Sequence, residues 1–339
     1  MRQGLRAILQ LAAMTLLAAC QSPLSWPFAP ASPTPTATST STPRATPTAT
    51  ATATVTATPR PHASRVVIVS YDGLRPEVID LAPMPVLQSL MQISAYTLSA
   101  RTFFPSSTLP AHSSMLTGTC PVKHLALWND YLPLLGYAQG EDLFDLASAA
   151  DLETAMYVGK EKLRQITEPE STDIFRFIND RDLVIVDELI KDFPQDFGLL
   201  FVHFPLIDMM GHEYGWLSPE QLSVAFRGDQ ALARLLVALD ERGLRPGTLI
   251  IVTADHGGHQ TTHGYSFPED MTIPWIVSGP GVRPGQLSTA VQTMDTAATA
   301  AWALNLPIPE EWDGRPVLEA FGFEPAAEPP IQCETPRLP

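Results

Sequence analysis

Four stretches built almost entirely from apolar, largely β-branched residues constrain this chain more than anything else in it. They run over 65–70, 198–204, 248–253 and 273–278. Polar and apolar residues do not alternate within them, so each reads as a strand covered on both faces. Patterns of helical period separate them, at 86–91, 143–149, 182–190, 219–239 and 295–304. Apolar strands alternating with helices describe an α/β fold, with a mostly parallel central sheet and helices on both faces. Ligands of such sheets sit beyond the carboxyl ends of the strands.

Carboxylates and imidazoles gather at those ends. The first strand runs into Ser70-Tyr71-Asp72-Gly73, the second into Asp208-Met209-Met210-Gly211-His212, and the third into Ala254-Asp255-His256-Gly257. A charged Asp directly after a buried strand is costly unless it is paired or bound to a metal. Taken singly, each has an ordinary explanation: Asp-Gly is a common turn, and a carboxylate four residues from a His is often solvated surface. Their joint placement favours a metal site, and Asp and His together suit zinc.

A second kind of signal lies in Phe104-Pro105-Ser106-Ser107-Thr108-Leu109-Pro110-Ala111-His112. Pro110 fits the first turn of a helix, where its missing N–H costs nothing. Thr108 then stands at a helix N-terminus, whose free amides and dipole attract phosphate. Capping by Ser106, Ser107 or Thr108 is the ordinary alternative.

Together these motifs resemble the alkaline phosphatase superfamily, within its branch of type I phosphodiesterases and nucleotide pyrophosphatases. His263-Gly264 and the stretch from Ile273 to Gly281 strengthen the resemblance, which extends from Val66 to about Val317. It implies an alkaline-phosphatase-like fold and two zinc ions, with manganese or iron as alternatives. One ion would be held by Asp72, Asp255 and His256, with Thr108 as fourth ligand and nucleophile. The other would take Asp208, His212 and His263, with His259 as the competitor for the last position. Asn129, twenty-one residues beyond the nucleophile, would donate to a phosphoryl oxygen. Lys160 and Lys162 resemble the Lys-x-Lys element of phosphonoacetate hydrolases and would neutralise a terminal phosphoryl group; two solvated lysines at a helix start are the alternative. Leu109 and Ala111 replace the Phe and Asn usual in nucleotide pyrophosphatases, which puts nucleotide diesters in doubt as the best substrate. The sulfatase motif Cys/Ser-x-Pro-x-Arg is absent.

The ends of the chain have a different character. Arg2 and Arg6 precede an apolar run too short to span a bilayer, ending in Leu17-Ala18-Ala19-Cys20. That ending resembles a bacterial lipobox and implies a signal peptide over 1–20 with a lipid anchor on Cys20. Residues 21–63, dominated by Pro, Thr, Ala and Ser, read as a disordered stalk. The folded domain is expected over 64–323, followed by a disordered tail over 324–339. Cys120 and Cys333 are expected either to pair in an oxidising compartment or to stand as free thiols.

These readings describe an extracytoplasmic, membrane-anchored phosphohydrolase that forms a phosphothreonine intermediate. Its partner would be a small phosphate ester, either a diester or pyrophosphate or a monoester. The net charge of −15 argues against a nucleic-acid scaffold. The alternatives are a phosphonate hydrolase or phosphotransferase on the same scaffold, and a non-catalytic surface lipoprotein.

Overall fold

The computed structural model describes residues 63–326 and 328–336. The signal peptide, Cys20 and nearly all of the stalk expected from the sequence lie outside the described residues. Within the described residues eight strands form one sheet: β1 (Arg65–Tyr71), β2 (Ala95–Arg101), β3 (Glu153–Val158), β4 (Ile174–Phe177), β5 (Phe197–Phe204), β6 (Thr248–Thr253), β7 (Thr272–Ser278) and β8 (Gly285–Gln286). Their order is β4-β3-β5-β1-β6-β7-β2-β8.

Strands β4, β3, β5, β1 and β6 run parallel, while β7 is antiparallel to both β6 and β2. β1 lies at the centre, and Val66, Val67, Ile68 and Val69 have no exposure at all. Burial on both faces is what their continuous apolar character requires. In the registers of β1, Ser70 stands opposite His203 of β5 and Thr253 of β6. The loops after these three strands therefore open at one edge of the sheet. β2, β3, β4 and β8 are not evident from the sequence; β2 mixes polar with apolar residues, and β4 and β8 are short.

Among the described residues ten α-helices accompany the sheet: α1 (Pro76–Leu81), α2 (Pro85–Met91), α3 (Thr108–Thr117), α4 (Pro121–His124), α5 (Leu143–Ala149), α6 (Asp182–Lys191), α7 (Leu206–Tyr214), α8 (Pro219–Glu241), α9 (Pro268–Met271) and α10 (Asp295–Ala303). α8 gathers α1, α2, α6 and α7 around it, and α3 packs with α4, α5 and α10. The longest of these ten, α8, starts where Ser218 accepts from the Gln221 amide at 3.2 Å and Pro219 takes the first position. It buries Val224, Leu232, Leu235 and Leu239, each stabilising by roughly 1.5–3 kcal/mol when fully removed from water.

The C-terminal segment corrects an expectation. Residues 328–336 form neither helix nor strand, yet they do not stand free. Cys333 is disulfide-bonded to Cys120, with Cα atoms 5.5 Å apart. Gln292 exchanges two hydrogen bonds with the backbone of Ile331, at 2.9 and 2.8 Å. Ile331 and Cys333 pack against Phe103, Cys120 and Met294. Apolar contact and a covalent tie thus order a segment whose composition alone suggested none. No helix among the described residues is long and apolar enough to cross a membrane.

Candidate metal centre

Each parallel strand of the central trio delivers one carboxylate. Asp72 follows β1, Asp255 follows β6, and Asp208 sits in the first turn of α7, directly after β5. Gly73 makes the turn after β1 with φ +75°, and a Cβ there would lie 3.0 Å from the Asp208 Cα. Only glycine lets the two segments approach so closely in that conformation. The Trp216 indole N–H fixes the turn by donating to the Gly73 carbonyl at 2.9 Å.

All three carboxylates are buried, and each has one oxygen held by N–H donors and one left without a partner. Asp72 Oδ2 accepts from His203 and Lys160, at 2.8 and 2.7 Å. Asp208 Oδ2 accepts from Lys160 at 2.5 Å. Asp255 Oδ1 accepts from the amides of Gly73 and His256, at 3.1 and 2.9 Å. Asp72 Oδ1, Asp208 Oδ1 and Asp255 Oδ2 are buried with no hydrogen-bond donor, as is His256 Nε2. Burying such atoms without compensation costs several kcal/mol, by order of magnitude.

The imidazoles repeat the pattern. His256, His212 and His263 donate from Nδ1 to the carbonyls of Gly257, Thr261 and Ser106, at 2.7, 3.0 and 3.0 Å. Each bond fixes the tautomer and leaves the Nε2 lone pair facing inward. The inward atoms fall into two sets. In one, His256 Nε2 lies 3.4 Å from Asp72 Oδ1 and 3.3 Å from Asp255 Oδ2. In the other, His212 Nε2 and His263 Nε2 each lie 3.4 Å from Asp208 Oδ1. Ligands about 2.0–2.1 Å from a tetrahedral ion are separated by about 3.3–3.4 Å. The two sets therefore fit a pair of first-row divalent cations, and His256 stacks on His263 at 3.9 Å to bring them side by side. His259 belongs to neither; its Nδ1 donates to Asp270 at 2.6 Å.

Thr108 opens α3, and Ser107 before it makes no side-chain cap. Pro110 falls in the first turn, as its position in the sequence requires. Asn129 accepts from the Leu109 amide through Oδ1 at 3.0 Å. That bond turns the two amide donors of Asn129 the other way. Lys160 Nζ reaches Thr108 Oγ1 at 3.2 Å, in addition to Asp72 and Asp208. Lys162 follows in a 3₁₀ turn, 161–165, and its Nζ has no protein partner among the described residues.

The charges explain the titration behaviour. Burial, the largest influence, raises Asp72 and Asp208, but Lys160 together with His203 and His256 at Asp72, and with His256 and His263 at Asp208, holds both below the usual carboxylate range. Burial and then Asp72 push Asp255 up to about 7. Burial opposes the charged form of His256, yet Asp255 and Asp72 prevail and raise it. For His263 burial wins, with the neighbouring His256 second, and brings it to about 3. Burial, then Lys160, lower Lys162. Three carboxylates face one buried ammonium, a deficit that bound cations would offset.

Two buried imidazoles were missed in the sequence. His203 interrupts the apolar strand β5; it accepts from the Gly159 amide at Nδ1, 3.2 Å, and donates from Nε2 to Asp72. His112 donates from Nδ1 to the Thr108 carbonyl and accepts from Ser70 Oγ, both at 2.8 Å. The signals were a lone polar residue within an apolar strand, and a His one helical turn beyond Thr108.

The eight-stranded sheet and its loops define an α/β fold of the alkaline phosphatase type. The sequence profile of the type I phosphodiesterase / nucleotide pyrophosphatase family matches residues 66–136 and 149–272, and the chain belongs to that family. It is 28% identical over 219 residues to an uncharacterized pyrophosphatase/phosphodiesterase of Schizosaccharomyces pombe, covering 57% of this chain and 44% of that one. It is 29% identical over 295 residues to the catalytic subunit of human GPI ethanolamine phosphate transferase 2, covering 78% and 29%. The chain thus spans less than half the length of both relatives. Among solved structures, inactive murine ectonucleotide pyrophosphatase/phosphodiesterase 5 in complex with AMP superposes with a TM-score of 0.62. That match has 16% identity over 73% of this chain and 96% of the other, a likeness of fold.

Proposed function

We propose that the chain is a di-zinc phosphoric-ester hydrolase that works through a phosphothreonine on Thr108, on diesters and pyrophosphates or on monoesters. The carrying observation is the set of inward atoms without a protein partner, divided between Asp72, Asp255, His256 and Asp208, His212, His263. Bound there, zinc would lower the pKa of an oxygen beside it and neutralise charge on a phosphoryl group.

The chain's own residues supply the rest. Thr108 Oγ attacks phosphorus in line, the P–O ester bond breaks, and the proton lost by the hydroxyl is balanced by the one gained by the departing alcohol. His112 holds the Thr108 carbonyl and so the first turn of α3. Asn129 and Lys162 offer N–H donors to the nonbridging oxygens. Water then attacks phosphorus and the Thr108 Oγ–P bond breaks, regenerating the hydroxyl and releasing phosphate from a monoester substrate or a phosphomonoester from a diester. Half-exposed His212 marks the open side of the centre, while Asp72, Asp255 and His256 are sealed. Manganese or iron fits the same donors.

A lipid on Cys20 would hold this domain outside the cytoplasm, with residues 21–63 as a spacer. The human transferase supports a second reading, in which an alcohol rather than water takes the phosphoryl group. A panel of nitrophenyl mono- and diesters, with metal supplied or chelated, tests the main reading. Metal-dependent release of nitrophenol supports it, and turnover indifferent to chelation rejects it. Adding an acceptor alcohol separates hydrolysis from transfer by the product formed.

A further inference from the structure

Lys160 occupies an unusual position within this centre. Its ammonium has three N–H donors, and the protein offers three acceptors: Asp208 Oδ2 at 2.5 Å, Asp72 Oδ2 at 2.7 Å and Thr108 Oγ1 at 3.2 Å. The first two belong to different ligand sets, and the third is the hydroxyl beside them. The oxygens used are the outward ones; Asp72 Oδ1 and Asp208 Oδ1 remain turned inward. The lysine and the cations therefore do not compete for the same atoms. Its backbone is placed just as closely. A Cβ on the preceding Gly159 would come within 2.3 Å of Pro205, so the loop rests directly on the chain leading into α7. The Gly159 amide also binds His203, which shares Asp72 Oδ2 with Lys160.

We propose that Lys160 is a positioning residue, which locks both ligand sets and the nucleophilic hydroxyl in mutual register. Reading of a second negative charge on the substrate then falls to Lys162. With all three donors committed, Lys160 has none to offer a phosphoryl oxygen. Lys162, two residues on, keeps its ammonium without a protein partner among the described residues. Its side chain is partly buried in the short turn that begins directly after Lys160. The two lysines of one Lys-x-Lys element thus take separate tasks. This inference rests on the di-metal reading of the centre.

The test compares Lys160→Met, Lys160→Arg and Lys162→Ala with the full wild-type chain. Metal affinity is measured by chelator competition with zinc, and the absorption of the cobalt-loaded proteins is recorded. Monoester and diester turnover are measured in parallel. Lys160→Met is expected to weaken metal binding by about 10-fold or more, the scale for losing a residue that orients ligands, and to alter the cobalt spectrum. It should leave the ratio of monoester to diester turnover unchanged. Lys162→Ala is expected to keep both affinity and spectrum while cutting that ratio about 10-fold. If Lys160→Met does not fold, Lys160→Arg carries the test. It retains the charge, but a planar fork does not match three converging acceptors, so weaker metal binding is again expected. Wild-type affinity in the Lys160 variants, or a shifted substrate ratio in them, overturns the inference. A wild-type chain that binds no metal removes the di-metal reading itself. Metal binding without turnover of either ester removes the hydrolase reading and leaves the positioning of Lys160 standing or falling on affinity and spectrum.

Discussion

His203 donates from Nε2 to Oδ2 of Asp72 at 2.8 Å, deep within the sheet where neither side chain meets solvent. The Gly159 amide occupies Nδ1 at 3.2 Å, so the proton on Nε2 is fixed by the backbone. One oxygen of Asp72 is thereby committed and the other aimed at His256 and Asp255. His203→Leu should therefore lower affinity for zinc by about 10–100-fold, with a smaller loss for His203→Gln, which retains a donor. Chelator competition measures both. Equal affinity in wild type and His203→Leu would mean that Asp72 needs no such support.

Removal of metal should cost stability as well as activity. Ligand sets that exist only in the folded chain couple binding to folding. At a free-ion concentration of 100 times the dissociation constant, each site adds about 2.7 kcal/mol. Thermal unfolding after dialysis against a chelator should begin at a lower temperature and recover as zinc is added back. A midpoint that ignores zinc would show that the inward atoms do not bind it.

Thr108 is the proposed nucleophile, and its replacement tests chemistry apart from assembly. Thr108→Ala should lose turnover by about 10³-fold or more, while fold and metal content remain. Thr108→Ser keeps the hydroxyl and should keep a measurable part of the rate. Rapid quench followed by intact-mass measurement should find one added phosphoryl group on wild type and none on Thr108→Ala. Wild-type turnover by Thr108→Ala would reassign the nucleophile.

The residues whose chemistry makes them costly to bury were legible in the sequence. Asp72, Asp208 and Asp255 stand at the ends of apolar strands, and a parallel sheet collects strand ends at one edge. β1, β5, β6 and β7 were legible for the same reason, since a run of apolar residues four to eight long needs covering on both faces. β2 was not. It lies towards the sheet margin, where exposed Ser99 and Arg101 break the pattern. The tail was misread because composition records neither a covalent partner nor the bonds of Gln292 to Ile331. Nor does spacing reveal a second layer of support: His203 and Asp72 are 131 residues apart, and only the register of β1 with β5 brings them together.

A last relationship lies outside the candidate metal centre and gives the stability of the fold a pH dependence. Asp142 caps α5: its Oδ1 accepts from the amides of Phe144 and Asp145, at 2.7 and 3.1 Å, and Asp145 returns a bond to the Asp142 amide. Burial, followed by the charge of Asp145, pushes Asp142 up to about 7, against an ordinary 3.8. The folded chain then binds a proton on Asp142 that the unfolded chain has already lost. The stability this contributes is full below about pH 4 and is lost as pH rises through about 7. Asn at this position has an oxygen for both amides and does not titrate, so Asp142→Asn should gain on wild type between pH 5 and pH 8. At about 1.4 kcal/mol per pKa unit, the gain is at most about 4 kcal/mol. The other buried carboxyls raised in the same way, Asp182, Asp229, Asp255 and Asp295, are common to both proteins and cancel. Asp142→Ala, which removes the cap, should cost about 1 kcal/mol near pH 5. Urea unfolding at the two pH values decides the matter, because a difference between Asn and wild type that stays constant would mean that Asp142 titrates in the folded chain as it does in the unfolded one.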